Sequence, residues 1–363
     1  MKIICFIDDL NAGGAQRQIC YLALLFKKKN FDVTILTYHS SNFFAEYLKK
    51  NKIKHVIIEN KNKLLRLIKI VKYLRSSNQD VLIAYLRTPS LIAEIASLYR
   101  KKWKLIVSER NNYKNYFFSN LFRRIMHLVA DYVVVNSKTG YSSIKKNAPW
   151  LKRVLLIYNF INLNYFKPSK KNHKEYNKII NFIGVGKFTN QKNIINLVKA
   201  FNIVKEKKLN RNFTLHWFGD NYTKGKSNIY LNKIRNLISF YNLGDKIFLN
   251  QATRNILKKY KNSSALILPS IYEGFPNVAC EAISCGLPVL ISKVSDNKIF
   301  VDHNNGFIFN PNKPNDIAKK ISLFCNLNNK EKIKMSNNSR KKAELFFNKN
   351  RFLNDYLKII NKI

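Results

Sequence analysis

The chain alternates short runs of β-branched and other apolar residues with longer amphipathic segments. In the first part of the chain the short runs cover residues 2–7, 32–38, 55–58, 80–86, 104–108, 132–136 and 153–158. Runs of this length and composition predict strands, and the segments between them predict helices. A repeated strand-helix order predicts an α/β protein with parallel sheets.

The alternation breaks after Asn159 and then resumes. Residues 166–178 are rich in Lys and Asn and lack a hydrophobic period, which predicts a linker. Further strands are predicted at 179–185, 213–218, 246–249, 265–268 and 288–291. The domains are therefore predicted at 1–165 and 179–345, with a ligand cleft at the carboxyl ends of the strands. For residues 346–363 two interpretations stay open: a helix that crosses back to the first domain, or a plain core-packing helix.

The chain is strongly basic. Its 363 residues contain 65 Lys and Arg against 21 Asp and Glu, a formal net charge of +44. Such a field attracts nucleic acid, acidic lipid headgroups or phosphorylated substrates. A compositional bias towards Lys, Asn and Ile is the alternative explanation. Zinc-finger spacings, ribonucleoprotein aromatic strings and basic arms are absent from the sequence, which disfavours specific nucleic-acid binding.

Cysteine spacing and hydropathy bear on localisation. The five cysteines are scattered through apolar or helical contexts, at Cys5, Cys20, Cys280, Cys285 and Cys325. This arrangement does not resemble a zinc site or a secreted disulfide framework and favours a reducing cytoplasm. No apolar run in the sequence approaches the roughly 18 residues of a membrane span. Any membrane contact is therefore expected to be peripheral.

Two segments suit an anionic membrane surface. Residues 63–75 place Lys and Arg at three-residue steps beside an apolar stripe, and residues 113–118 together with 122–124 mix aromatic and basic side chains. Both patterns are typical of helices that lie on a membrane. The alternative is that each helix packs its apolar face on the sheet and exposes its charges to water.

Residues 269–288 are the most informative stretch. The Pro, Asn and Gly residues in this stretch mark the ends of its elements. They predict a strand that ends at Leu268, a helix N-cap at Asn277 and a helix end at Gly286. Glu273 then lies on the loop after the strand, and Glu281 lies about one turn inside the helix.

This arrangement suits a sugar nucleotide. Carboxylates accept hydrogen bonds from pairs of sugar hydroxyls, while the amides and the dipole of a helix N-terminus favour phosphate. In the alternative interpretation, Glu273 caps the helix locally and Glu281 is a solvated surface charge.

A second motif follows the strand at 179–185. It has the sequence Gly-Val-Gly-Lys-Phe-Thr-Asn-Gln-Lys-Asn at 184–193, so that Gly186 is followed by two cations, Lys187 and Lys192, close to a helix start. Glycine permits a tight turn there, and the lysines can neutralise phosphate without a metal ion. Because the motif is neither a complete dinucleotide fingerprint nor a P-loop, surface lysines beside a turn are the alternative.

Together these segments resemble the retaining glycosyltransferases of the large GT-B family 4. The family motif of two Glu separated by seven residues, with a preceding Pro-Ser and a following Gly-x-Pro, is matched at Pro269-Ser270, Glu273, Glu281 and 286–288. The resemblance covers nearly the whole chain. It implies two Rossmann-like parallel-sheet domains that face a cleft.

The resemblance also implies residue roles on the donor side. Glu273 holds the donor sugar, the amides of Gly274 and Phe275 approach the diphosphate, and Glu281 binds the ribose. Lys187 and Lys192 neutralise the diphosphate, so Glu273, Lys192 and Lys187 form the catalytic set. The complete implied donor-binding set is Gly186, Lys187, Lys192, Glu273, Gly274, Phe275, Pro276, Asn277 and Glu281.

On the acceptor side the resemblance implies a glycine-rich loop after the first strand, with Gly13, Gly14 and Gln16. Many family members carry a His-Asp pair after the strand that here ends in Ser-Glu-Arg-Asn. This sequence has no His there, and the catalytic part that this His usually plays is left unassigned. Glu109 and Arg110 are assigned to the acceptor side, with a local salt bridge as the alternative. His55, His127 and His216 lie in apolar segments and are assigned no catalytic role.

The function implied is retaining transfer of a hexose or N-acetylhexosamine from a nucleotide diphosphate sugar, with UDP favoured. The expected acceptor is a glycan on polyprenyl diphosphate, in polysaccharide or surface-glycan biosynthesis at the inner face of the cytoplasmic membrane. The absence of any Asp-x-Asp string favours chemistry without a metal or cofactor. Two alternatives stay open: a sugar-nucleotide epimerase or hydrolase of the same fold, and a basic nucleic-acid-binding protein.

Overall fold

The computed structural model describes residues 1–41, 43–98, 102–110, 117–169, 179–207, 211–220 and 226–361, and at 117–120 and 226–228 it describes only the helical backbone. The chain divides into two compact units. Unit 1 comprises Met1–Phe160 and Lys349–Ile363, and unit 2 comprises Ile161–Asn348. Of the predicted linker, residues 170–178 lie outside the described residues, whereas Phe166 is buried in unit 2 against the ring of Tyr260.

In its described part, unit 1 contains a parallel sheet of seven strands: β1 (Lys2–Phe6), β2 (Asp32–Thr37), β3 (Lys54–Ile57), β4 (Val81–Tyr85), β5 (Lys104–Glu109), β6 (Tyr132–Val135) and β7 (Val154–Leu156). Its helices are α1 (Gly14–Lys27), α2 (Ala45–Lys50), α3 (Lys63–Ser76), α4 (Arg87–Ser97), α5 (Phe117–Met126) and α6 (Lys138–Asn147). A short 3₁₀ turn, His127–Val129, follows α5. The strand order is β3-β2-β1-β4-β5-β6-β7.

From β1 the chain first adds strands on one side of the sheet (β2, β3) and then on the other (β4 to β7). The point where the direction changes, here between β1 and β4, is called the winding reversal. Because right-handed crossovers leave such a sheet in opposite directions, helices cover both faces. The two apolar clusters follow the alternation of side chains along β1: Cys5 packs with α1 on one face, and Phe6 packs with α3, α4 and α6 on the other.

Unit 2 has the same architecture. The described residues form a parallel sheet of six strands: β8 (Ile179–Val185), β9 (Asn212–Gly219), β10 (Ile247–Gln251), β11 (Ala265–Leu268), β12 (Val289–Ser292) and β13 (Gly306–Phe309). Its helices are α7 (Ile194–Glu206), α8 (Lys226–Phe240), α9 (Ile256–Lys261), α10 (Asn277–Ser284), α11 (Asn297–Phe300), α12 (Pro314–Asn326) and α13 (Asn329–Phe346). The order β10-β9-β8-β11-β12-β13 places the reversal between β8 and β11.

The last helix, α14 (Lys349–Asn361), belongs to unit 1. The Tyr356 hydroxyl lies 2.9 Å from that of Tyr85, and the Phe352 ring stacks on Phe160. The Lys104 ammonium donates to the carbonyls of Ile359 and Ile360 and so satisfies the C-terminal end of the helix. The chain therefore leaves unit 2 at Asn348 and closes the fold of unit 1.

The α/β class with two parallel-sheet domains is confirmed. The five cysteines are buried, and none of them forms a disulfide. Within the described ranges, no helix combines the length and the apolar character needed to cross a bilayer. β13 was not predicted, because it begins with a glycine and has only three apolar residues between the flanking polar turns.

Candidate functional site

The two motifs of the second domain meet at the winding reversal of unit 2. The 186–193 loop follows β8, the 269–276 loop follows β11, and these strands are neighbours in the sheet. Ile271 donates its amide to the Gln191 carbonyl at 2.9 Å, and the Gln191 side chain donates to the Tyr272 carbonyl at 3.0 Å. In open α/β sheets, ligands bind at the carboxyl ends of the strands beside such a reversal.

Neighbouring atoms approach the backbone so closely that glycine is required both in this loop, at Gly186, and at the end of β9, at Gly219. A Cβ at Gly186 would lie 2.7 Å from the Lys192 Cε, and a Cβ at Gly219 would lie 2.2 Å from the Gly186 carbonyl oxygen. The Trp217 indole donates to that same oxygen at 2.8 Å. The stem of Lys192 therefore lies directly over Gly186, and β9 holds the loop from behind.

Lys192 and Glu273 form an ion pair with 2.6 Å between Nζ and Oε1. Their side chains are 16 % and 9 % exposed, so the pair is largely desolvated but Lys192 keeps a path to solvent. An ammonium has three donors, and this contact uses one of them. The site thus presents a cation and a carboxylate side by side.

Asn193 fixes the position of Lys192, a role that the motif at 184–193 did not predict. It takes the left-handed conformation (φ 56°) between the 3₁₀ turn Asn190–Lys192 and α7. Its side-chain amide donates to the carbonyls of Pro269 and Pro311. Asn tolerates positive φ better than other non-glycine residues, which is the one signal for this role in the sequence.

Lys187 lies in the same loop with an exposed side chain. The interpretation in which Lys187 and Lys192 are both plain surface lysines is wrong for Lys192, because that residue is mostly buried against Glu273. The assignment of Lys187 to the diphosphate stays a prediction.

The segment from Gly274 to Asn277 differs in one respect from the prediction. α10 begins at Asn277 itself, Pro276 occupies the N-cap position, and no side chain caps the helix. Asn277 is therefore the first helical residue and not the cap, because Pro276 has already turned the chain into the helix. Phe275 is buried against the rings of Phe300 and Phe347, which anchors the loop in the core of unit 2.

Glu281 is buried, with 1 % of its surface exposed. The Tyr260 hydroxyl donates to its Oε2 at 3.2 Å. The alternative interpretation of a solvated surface charge is therefore wrong, as is that of Glu273 as a local cap, since Glu273 binds Lys192. The ribose-binding role of Glu281 stays a prediction, and Tyr260 is a partner that sequence spacing could not identify.

In unit 1, the predicted glycine loop precedes α1. Gly13 is the N-cap residue and Gly14 the first helical residue. The Gln16 amide folds back to donate to Asp9 Oδ1 at 3.2 Å, and a Cβ on Gly13 would lie only 2.1 Å from the Gln16 Oε1. Glycine at position 13 therefore permits the fold-back.

Glu109 and Arg110 contact different partners because successive residues project to opposite sides of an extended chain. Glu109 accepts from Arg123 Nη2 and His127 Nε2, both at 2.6 Å. The Arg110 guanidinium lies 3.6 Å from the centre of the Tyr85 ring and donates to Asn159 Oδ1 at 2.7 Å.

These contacts bear on the salt bridge that was the alternative interpretation of Glu109 and Arg110, but they do not test the assignment of the two residues to the acceptor side. Glu109 forms its ion pair with Arg123 and not with its neighbour Arg110, so a salt bridge between the two is wrong. Arg110 is buried and also donates to Tyr356 of α14, which gives it a place in the packing of unit 1. Their assignment to the acceptor stays a prediction.

Comparisons with known proteins agree with this architecture. The model described as "Glycosyl transferases group 1" matches residues 166–342, and that described as "Glycosyltransferase Family 4" matches residues 12–165. The chain is 25% identical over 358 residues to the Campylobacter jejuni GalNAc-alpha-(1->4)-GalNAc-alpha-(1->3)-diNAcBac-PP-undecaprenol alpha-1,4-N-acetyl-D-galactosaminyltransferase, covering 95% of this chain and 94% of that protein. It is 24% identical to the amylovoran biosynthesis glycosyltransferase AmsD of Erwinia amylovora, over 85% of each chain.

Solved structures show the same fold. The Anabaena protein Alr3699/HepE in complex with UDP and glucose superimposes with a TM-score of 0.86 at 17% identity, covering 100% of both chains. A glycosyltransferase from Rickettsia africae superimposes with a TM-score of 0.81 at 21% identity, covering 99% of this chain and 98% of that one. With both halves of the chain matched by the family models, the protein belongs to the family 4, group 1 glycosyltransferases of the GT-B fold.

Proposed function

We propose that the protein is a retaining, metal-independent glycosyltransferase that moves a hexose or N-acetylhexosamine from a UDP-sugar to a glycan carried on polyprenyl diphosphate. The observation that carries this proposal is the Lys192–Glu273 pair at the winding reversal of unit 2. A carboxylate can accept hydrogen bonds from two sugar hydroxyls, and the adjacent ammonium can contact the diphosphate that the sugar leaves.

The chemistry needs positive charge at the leaving group. When the bond between the anomeric carbon and the diphosphate oxygen breaks, negative charge develops on that oxygen. Lys192, Lys187 and the amides at the start of α10 are the groups assigned to stabilise it, with no cofactor or metal required. Lys187 supplies a positive charge here without the bidentate fork that an arginine offers.

Retention is proposed through attack on the front face. The acceptor oxygen bonds to the anomeric carbon on the face from which UDP departs, and the acceptor proton passes to the departing phosphate oxygen. This route needs no second carboxylate to form a covalent intermediate. NMR of the product tests the configuration, and an inverted anomer contradicts the proposal.

The nature of both substrates is supported by relatives. The Campylobacter relative is named for an undecaprenyl-diphosphate-linked acceptor, the Erwinia relative for amylovoran biosynthesis, and the Anabaena structure holds UDP and glucose. In unit 1, the loop and helix start with Gly13, Gly14 and Gln16 follow β1, and Glu109 is the last residue of β5. The carboxyl ends of these strands form the edge where α/β sheets bind ligands. We assign these residues, with Arg110, to the acceptor.

A lipid-linked acceptor requires contact with a membrane, and two helices of unit 1 suit it. On α3, Leu64 and Ile68 are 64 % and 53 % exposed among exposed lysines. Around the end of α5, Phe122, Ile125 and Leu128 are exposed at three-residue steps. Since α3 and α5 both pack beside α4, we propose that this surface docks on the anionic inner face of the cytoplasmic membrane.

Donor binding is tested first, by thermal unfolding with a panel of sugar nucleotides in the presence of EDTA. A ligand of the native state raises the melting temperature, and we expect UDP-hexoses and UDP-N-acetylhexosamines to do so. Stabilisation that requires a divalent ion contradicts metal independence.

Transfer is tested with radiolabelled UDP-N-acetylgalactosamine and a polyprenyl-diphosphate-linked N-acetylhexosamine. We expect labelled, lipid-linked product. The same donor without acceptor separates the rival activities, because an epimerase or hydrolase consumes donor at full rate without it. Full-rate consumption of that kind contradicts the proposal.

Membrane docking is tested by flotation with phosphatidylglycerol vesicles at low salt. We expect the protein to float, and the double substitution Leu64→Gln and Ile68→Gln to weaken flotation. Leu345→Gln is the matched control, since Leu345 is 76 % exposed on α13 of unit 2. A protein that stays at the bottom, or equal loss in the control, contradicts docking through α3.

A further inference from the structure

A chain of buried charges lies behind Glu109, and no role has been assigned to it. His127, in the turn after α5, is 1 % exposed. Its Nε2 lies 2.6 Å from Glu109 Oε1, and its Nδ1 makes a short contact with Glu94 Oε1 on α4. Arg123 Nη2 lies 2.6 Å from the same Glu109 oxygen. Two cationic side chains, those of His127 and Arg123, thus meet the Glu109 carboxylate, and Glu94 contacts the far side of the His127 ring.

The contacts fix the charge of the ring. A neutral imidazole donates from only one nitrogen, so a ring with a carboxylate at each nitrogen is satisfied only as the imidazolium. Although burial alone lowers the pKa of His127, its hydrogen bonds to Glu109 and Glu94 raise that pKa to about 9. His127 is therefore charged at neutral pH.

The surroundings of Glu94 and Glu109 shift the pKa values of the two carboxyl groups in opposite directions. Burial raises the pKa of Glu94, against the opposing effect of His127, and its Oε2 has no hydrogen-bond partner within the described part of the chain. Burial also opposes ionisation of Glu109, but the charges of Arg123, His127 and Arg124 outweigh it and lower the pKa of Glu109. Glu109 is therefore held as the carboxylate.

A network of buried ion pairs adds little to the stability of a fold if its role is only structural. Replacing a buried ion pair with apolar residues of similar volume is often neutral or stabilising. The Glu109 side chain is nevertheless 15 % exposed, at the carboxyl end of β5. The charges on one side therefore orient a carboxylate that reaches solvent on the other.

We propose that His127 is a positioning residue that, held by Glu94, fixes the Glu109 carboxylate for the acceptor. This inference rests on the proposed acceptor role of Glu109. Both contacts from His127 and Arg123 are made by Oε1, so Oε2 is the oxygen assigned to an acceptor hydroxyl. His127 itself does not touch the substrate in this account.

The charge state is tested without activity, by NMR of protein labelled with ¹⁵N-histidine. Between pH 6 and 10 we expect one histidine to keep both ring nitrogens protonated until about pH 9. His127→Gln removes that signal and so assigns it. In Glu94→Gln the His127 pKa falls, because one carboxylate partner is lost. A neutral ring at pH 7.5, or a pKa unaffected by Glu94→Gln, overturns the proposal.

The positioning role is tested by the pH dependence of kcat, in the transfer assay described above. Wild type should lose activity as His127 deprotonates, and Glu94→Gln should move this alkaline limb about one pH unit lower. His127→Gln should lower kcat about tenfold or more, with a smaller change in the KM of the donor. Glu206→Gln and His303→Asn are matched controls, since both residues are exposed in unit 2.

The outcomes separate this inference from the proposed function. If wild type transfers sugar but Glu94→Gln and His127→Gln keep its kcat and its alkaline limb, the inference fails and the function stands. If wild type transfers no sugar while NMR shows the imidazolium, the proposed function fails and the positioning role fails with it. Thermal unfolding of each variant identifies any that does not fold, and the NMR titration of wild type then decides the charge state.

Discussion

Lys192 and Glu273 are 81 positions apart in the chain, yet Nζ and Oε1 lie 2.6 Å from each other. The loops that carry them follow adjacent strands, and Asn193 holds the first loop against the second through the Pro269 carbonyl. The contact therefore follows from the winding of the sheet. It places Lys192, the residue proposed to bind the diphosphate, and Glu273, the residue proposed to bind the hexose, in one site.

Replacement of Lys192 by Ala removes the ammonium from this site. We expect turnover to fall by about a hundredfold or more, the cost of losing one donor to a developing oxyanion. Initial rates of transfer measure the effect. Lys199→Ala is the control, because Lys199 is an exposed lysine on α7 just beyond the site. Near-normal turnover in the Lys192 variant would remove this residue from the catalytic set.

Removal of the Tyr260 hydroxyl tests the buried carboxylate of Glu281. Tyr260→Phe deletes the donor that lies 3.2 Å from Glu281 Oε2 and leaves the ring in place. We expect the KM of the UDP-sugar to rise about three- to tenfold, the worth of one hydrogen bond, with kcat little changed. Tyr241→Phe is the control. An unchanged KM would indicate that Glu281 needs no help to hold its position.

Gly184 should not tolerate a side chain. A Cβ at this position would lie 2.1 Å from the Trp217 ring, whereas a Cβ at Gly244 would meet no atom within 4 Å. We expect Gly184→Ala to lower the free energy of unfolding by about 1–3 kcal/mol. Gly244→Ala should change it by less than about 0.5 kcal/mol. Urea denaturation of both variants measures the difference, and equal stabilities would contradict the packing described.

The stability of the fold should depend on pH through His127. Its pKa is about 9 in the folded protein, above the 6.5 of an unperturbed histidine, so the stabilisation is complete below pH 6.5 and is lost as pH rises through 9. We expect a loss on the order of 1–3 kcal/mol over this window, measured by denaturation at several pH values. In His127→Gln this dependence should largely disappear. A wild-type profile identical to that of the variant would contradict the ion pair.

Local sequence patterns predicted the elements well. β8 and β11 have the predicted bounds, because a β-branched run between polar turns has a clear beginning and end. The Glu273 and Lys192 motifs were also recognisable, since glycine and proline mark their loops. β13 was not predicted, because it begins with a glycine and has only three apolar residues between polar turns. The N-cap prediction for Asn277 was wrong, because Pro276 takes the N-cap position that Asn often fills in other helices.

Contacts over long chain separations could not be predicted from one sequence. Nothing in the spacing of Glu94, Glu109 and His127 indicates that a turn after α5 brings the ring between the two carboxylates. The same holds for Tyr260 and Glu281, and for Arg110, whose neighbours Tyr85 and Tyr356 come from β4 and α14. Each of these contacts depends on the tertiary arrangement of whole elements.

Isothermal titration of UDP and of UDP-sugar into wild type, Lys192→Ala and Glu273→Gln, all in EDTA, tests the account most directly. Lys192→Ala should weaken the binding of both ligands by about tenfold to hundredfold, because it removes a charge-assisted bond to the diphosphate. Glu273→Gln should retain UDP binding but lose the extra affinity for UDP-sugar. The division of roles between the two residues would be contradicted if the Lys192 variant bound UDP with wild-type affinity. It would also be contradicted if the Glu273 variant kept the wild-type difference in affinity between UDP and UDP-sugar.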